Sequence, residues 1–175
     1  MGKYIGESVL RKEDPRLVTG EAKYLEDIQL SGMVHAVVKR SDYAHAKIKN
    51  IDTSEAEKVP GVIGVWTGKD FEDVNPMPCA WQAGGVDNNA NTPRVLEIDK
   101  VTFTGQGVAV VVAENRNIAE DASSKIVVDY EELPTVVSAE EAIKPGAPQL
   151  HENAPNNICM AVSYTHLTLP TSPKV

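Results

Sequence analysis

Apolar and polar positions change rhythm several times along the chain. Residues 1–32 hold no sustained period, because turn residues and the charge cluster Arg11-Lys12-Glu13-Asp14-Pro15-Arg16 interrupt it. Pro15 biases Asp14 away from helix, so this segment is expected to be extended and to lie along a surface. From Met33 the pattern tightens. Residues 33–40 are rich in β-branched side chains and read as a strand, and residues 46–51 alternate apolar and polar as a strand with one wet face does. Asp52-Thr53-Ser54 offers side-chain oxygens to cap a short helix over 54–58, which Pro60-Gly61 ends. Residues 62–67 then form another strand.

A long stretch without period follows over 68–98, marked by Pro76, Pro78 and Pro93, by Gly84-Gly85 and by the Asn-rich run 87–91. Loops of this length inside a domain tend to be functional or to belong to an interface. Beyond it a second passage repeats the first loosely. It has a short strand at 100–103, a buried strand at 107–113, and a helix at 117–124 with Ile118, Ala119 and Ala122 on one face. A strand over 125–130 follows, then a helix over 138–143 whose Ser138 and Glu141 have capping-box spacing. The expected fold class is α/β (α+β): a mixed sheet built from two β-α-β passages with a long connecting loop.

The 175 residues are enough for one domain or a domain with an extension. Hydrophobic residues make up 42% and aromatics only 5%, so the core must rest on Val, Ile, Leu and Ala. A net charge of −8 argues against nucleic acid as a partner, since phosphate binding needs a basic face. No apolar run approaches the roughly 20 residues of a membrane helix, no signal peptide is visible, and no membrane partner is expected. The two cysteines, Cys79 and Cys159, form no CxxC pair and favour a reducing, cytoplasmic setting over a disulfide framework or a zinc site.

Candidate chemistry is sparse. Gly105-Gln106-Gly107 lies between two strands, where a dinucleotide fingerprint needs a helix to follow; a tight turn with glycine at positive φ is the simpler reading. Asp87, Asn89 and Asn91 have the opening spacing of a calcium loop, yet Thr92 holds its glycine position and Ile98 its closing glutamate position. His35, His45 and His151 share no metal-ligand spacing with Cys79 or a carboxylate. Cys79 has no adjacent basic residue to activate it. Trp66 and Trp81 read as packing residues. No catalytic, cofactor-binding or metal residue is therefore assigned.

The order of short motifs is more telling. Residues 11–20, Tyr24-Leu25-Glu26-Asp27-Ile28, Gly32-Met33-Val34-His35-Ala36, Ala44-His45-Ala46-Lys47-Ile48 and Pro60-Gly61-Val62 resemble the opening of the aldehyde oxidase and xanthine dehydrogenase family. The resemblance continues through residues 108–114 and Ala119-Glu120-Asp121-Ala122 to Val128-Asp129-Tyr130-Glu131-Glu132-Leu133-Pro134 and Gly146-Ala147-Pro148, closest to the carbon monoxide dehydrogenase-like large-subunit branch. It implies an a/b hammerhead domain over 33–150, preceded by an N-terminal segment over 1–32 and followed at 151–161 by the start of a linker to cofactor-binding domains. The whole enzyme it implies is a molybdenum hydroxylase that oxidises aldehydes, carbon monoxide or N-heterocycles with oxygen from water. It would use molybdenum-molybdopterin, with 2Fe-2S clusters and FAD on small and medium partner subunits.

Those cofactor contacts and the catalytic glutamate fall in later domains, so none is carried onto this chain. Its expected role is structural: packing against later domains of the same subunit, with Arg11–Arg16 and the 68–98 loop as contact surfaces, and inactive by itself. The alternatives are a free-standing, non-catalytic binding or scaffold domain, and a small enzyme using Cys79 or a histidine. Residues 162–171 match nothing in the family pattern and resemble a translated adapter, so residues 162–175 are expected to be a non-native tail.

Overall fold

The run from Gly107 to Ala113 is apolar at every position, a pattern that suits a strand covered on both faces. The computed structural model describes residues 5–79, 89 and 91–161, and in it this run is the middle strand of a sheet. The chain divides into two units between Met33 and Val34.

The first unit contains one short helix, α1 (Asp14–Val18), and a 3-10 turn at Leu25–Asp27. Contrary to the expected bias of Asp14 away from helix, Asp14 opens α1. Pro15 sits in the first turn, where its missing N–H would have had no partner anyway. None of the described residues of this unit is buried.

The second unit holds β1 (His35–Arg40), β2 (Ala46–Asp52), α2 (Ser54–Glu57), β3 (Val62–Thr67), β4 (Lys100–Val101), β5 (Gly107–Ala113), α3 (Arg116–Ser124), β6 (Val127–Glu132) and α4 (Ala139–Ala142). Both strand–helix–strand passages are present, and the α/β class holds. The strands are divided over two three-stranded sheets, β1-β5-β3 and β4-β2-β6, with antiparallel pairing throughout, where the sequence suggests a single mixed sheet. The β2–β3 link is too short for the crossover of about a dozen residues that parallel neighbours need. Strand β3 therefore leaves for the other sheet, and the α3 passage crosses back the opposite way, from β5 to β6.

One core lies between the β1-β5-β3 sheet and the helices. Ala109, Val111 and Ala113 pack with Ala56 of α2 and with Ala119 and Ala122 of α3, joined by Val37, Val62 and Val65. Alanine dominates this contact and lets helix and sheet approach closely. The second core sets Val101 and Val108 against Ala46, with Ile48, Val128 and Tyr130 at its edge. Ile51 and Val128 touch both clusters and join them.

Candidate functional site

The far end of the long loop, the β4–β5 turn and residues 151–153 enclose an open cleft of about 760 Å³. A glycine permits a close approach behind Glu97, one of the cleft's lining residues. A Cβ on Gly68 would lie 2.4 Å from the Glu97 carbonyl, so only glycine lets the end of β3 and the loop at Glu97 pass so closely. Gln106, 6% exposed, organises the wall. Its Oε1 accepts from the Thr102 N–H at 2.7 Å, its Nε2 donates to Glu97 Oε1 at 2.6 Å, and its backbone carbonyl accepts from the Ser41 N–H.

Two of the cations lining the cleft are held by backbone carbonyls. Lys100 Nζ donates to the Leu150 carbonyl at 2.9 Å, and Arg94 Nη1 donates to the Glu72 carbonyl at 3.4 Å. The Asn91 amide donates to His151 Nδ1, which must therefore be the unprotonated ring nitrogen. Burial pushes the His151 pKa below the usual imidazole value, and Lys100 and His45 push it the same way while Glu97 opposes them.

Gly105-Gln106-Gly107 is a turn with Gly105 at φ +93°, leading straight into β5, and no helix follows it. Asn89 and Asn91 tie the loop to the chain's later residues. The Asn89 N–H donates to the Cys159 carbonyl, and Asn91 reaches His151. Asp87, Gly84-Gly85, Trp81 and the tail at 162–175 lie outside the described residues. His35 is half-buried in β1 opposite Ala113, Cys79 is half-buried, and Cys159 is exposed. Arg11 forms an exposed ion pair with Asp14.

A second polar cluster sits at the edge of the β4-β2-β6 sheet. His45, 6% exposed, donates from Nδ1 to the Pro134 carbonyl at 2.6 Å, and its Nε2 is buried with no hydrogen-bond partner. The Tyr130 ring packs against Tyr43 with centroids 5.0 Å apart. Its buried hydroxyl makes no ordinary hydrogen bond. Burial raises the phenol's pKa, and the nearby Ser41 hydroxyl opposes that rise. Ser41 itself closes a turn, accepting from the Tyr43 N–H and donating to the Tyr43 carbonyl.

Sequence reasoning overlooked Gln106, Asn157 and Asn115 as organising residues. The signal for Asn115 was present, an Asn three positions before Ile118; Gln106 and Asn157 act over contacts that no local pattern encodes. The structure does not bring His35, His45, His151 and Cys79 into one constellation. Among the described residues, no group of three His, Cys, Asp or Glu side chains could hold a metal ion, and no helix is long and apolar enough to cross a membrane.

Residues 19–134 match the family described as aldehyde oxidase and xanthine dehydrogenase, a/b hammerhead domain. The carbon monoxide dehydrogenase large chain of Afipia carboxidovorans is 42% identical over 143 residues, covering 82% of this chain and 17% of that protein. The nicotine 6-hydroxylase large subunit of Paenarthrobacter nicotinovorans is 41% identical over 155 residues, covering 88% of this chain and 19% of its own length. The solved structure of quinoline 2-oxidoreductase from Pseudomonas putida 86 superposes with a TM-score of 0.76 at 42% identity, over 87% of this chain and 19% of the other. This chain thus spans less than a fifth of the length of these relatives. It belongs to the aldehyde oxidase and xanthine dehydrogenase family, and residues 19–134 are that family's a/b hammerhead domain.

Proposed function

We propose that the chain supplies the N-terminal structural domain of the large subunit of a molybdenum-dependent hydroxylase or dehydrogenase, and that by itself it is inactive. The observation that carries this reading is the asymmetry of coverage: most of this chain aligns with under a fifth of large subunits such as those of carbon monoxide dehydrogenase and nicotine 6-hydroxylase. The enzyme so formed would oxidise an aldehyde, carbon monoxide or an N-heterocycle in the cytoplasm. Its molybdopterin would sit in later domains, and its iron–sulfur clusters and FAD on small and medium partner subunits. Arg11–Arg16 and the 68–98 loop are the contact surfaces assigned to this role.

The cleft supports placing the cofactor elsewhere. A pterin cofactor carries phosphate and needs a surplus of cationic donors, whereas here Lys47, Arg94 and Lys100 share the space with Glu97, Asp99 and Glu152, and Arg94 and Lys100 each already bond a backbone carbonyl. These residues do not fit the group.

The test is metal analysis of the purified chain, expressed in a host that makes molybdopterin, together with an assay for aldehyde and N-heterocycle oxidation. Absence of stoichiometric molybdenum and of turnover is expected. One molybdenum per chain, or turnover abolished by Cys79→Ala, would overturn the reading.

A further inference from the structure

The face of the β1-β5-β3 sheet that turns away from α2 and α3 is apolar from edge to edge. The register sets Val38, Val110 and Trp66 side by side across the three strands, with Ala36, Val112 and Gly64 in the adjacent row. A Cβ on Gly64 would fall 2.4 Å from the Trp66 ring, so the indole lies along the sheet and broadens it into a flat surface. No carboxylate belongs to these two rows. Yet Val38 is 37% exposed, Trp66 36%, and Ile63 beside them 55%.

The opposite face of the same strands carries Val37, Val111 and Val65 and is covered by the helices. Strand β5, apolar at all seven positions, is closed by the helices at Ala109, Val111 and Ala113 and by the second core at Val108, while Val110 and Val112 stay only half-buried, although such a pattern suits closure of both faces. Contiguous apolar surface left open on a sheet marks an interaction site.

We infer that this face is the seat of an apolar segment from the remainder of a family large subunit, an interdomain contact within one polypeptide. The inference rests on the reading under Proposed function. The size of the relatives argues for this occupant. More than four-fifths of each lies outside the stretch that this chain matches, so the matched stretch must join a much larger body. The two uncharged rows call for an apolar partner surface, with charge confined to the rim, where Arg40 is held by its hydrogen bond to the Gly105 carbonyl.

The test compares two contexts by hydroxyl-radical footprinting with mass spectrometry, which reads solvent access side chain by side chain. One is the 175-residue chain. The other is the Afipia carboxidovorans large chain with its matching stretch replaced by that of this chain. Trp66 and Val38 should label strongly in the chain alone and several-fold less in the assembled chimera. Val38→Asp should leave the melting of the chain alone unchanged and prevent assembly of the chimera. Equal labelling of Trp66 in both contexts, or a Val38→Asp chimera that assembles as well as its parent, overturns the proposal and leaves the family role standing. Trp66 protected in a dimer of the chain alone makes a second copy the occupant and overturns it too. An unsubstituted chimera that fails to assemble overturns the reading on which the proposal rests, and the proposal with it.

Discussion

Asn157 ties three backbone groups to one side chain. Its Oδ1 accepts from the Leu150 N–H at 3.0 Å, and its Nδ2 donates to the carbonyls of Ala142 and Pro148, each at 2.9 Å. It does so at φ +58°, a conformation that asparagine tolerates better than most residues. Asn157→Ala should cost about 1–3 kcal/mol, read by urea denaturation, and Asn157→Asp should lose part of that because only the acceptor survives. The residue was illegible in sequence. Pro155-Asn156-Asn157 reads as a generic turn, and residues 151–161 read as the start of a linker. What singles out Asn157 is where Ala142 and Pro148 end up in space. His151 makes a second residue-scale point. Burial lowers its folded-state pKa, so the unfolded chain takes the proton more readily. Stability should be complete above the ordinary imidazole value of about 6.5 and decline as pH falls from there toward the lower folded value. Protonation at Nδ1 would also end its acceptance from Asn91. The melting temperature measured from about pH 8 to about pH 5.5 should fall, and His151→Gln should flatten that fall. The depressed carboxylates of Glu131 and Glu55, paired with Lys49 and Lys58, contribute throughout that range and add no slope to it, since their contribution is lost only as pH falls through the usual carboxylate range and below.

Helix α3 shows how an element is stabilised by its ends. Nine residues are too few for a stable isolated helix, and its packing face, Ile118, Ala119 and Ala122, is as the sequence periodicity indicates. Its first turn depends on Asn115, whose side chain accepts from the Ile118 N–H at 3.0 Å. Asn115→Ala should cost about 1 kcal/mol, and Asn115→Asp should largely restore it; thermal melting of both variants checks this. At α4 the expected capping box does not form. The Ser138 hydroxyl donates to Glu140, and Glu141 pairs with Lys144, because one exposed turn leaves each side chain free to choose the nearer partner. Strands β3 and β5 begin and end where their apolar runs do, since a strand's extent is written in its local run of apolar residues. Which sheet each strand joins is not local. Pairing of β2 with β6 and of β1 with β5 is settled across more than sixty residues of chain, and no short window of sequence contains both partners.

At the scale of the molecule, family membership was legible because many short motifs recur in a fixed order, even though no single one of them is diagnostic. The polar cleft was not, since it is assembled from the 91–106 region and from residues 151–153, far apart in sequence. The two sheets carry one further consequence. Strands β1, β2 and β3 precede the long loop, while β4, β5 and β6 follow it. Every strand pairing among the described residues joins a strand of the first set to one of the second. Neither half can build a sheet from its own strands. The chain made as two polypeptides divided within residues 80–88 should therefore give two pieces without β-structure, which recover it only when mixed. Circular dichroism of each piece and of the mixture would show this, and a β-spectrum from either piece alone would contradict it. The long loop would then be a covalent convenience: it raises the effective concentration of one half for the other, while the information for folding lies in their complementation.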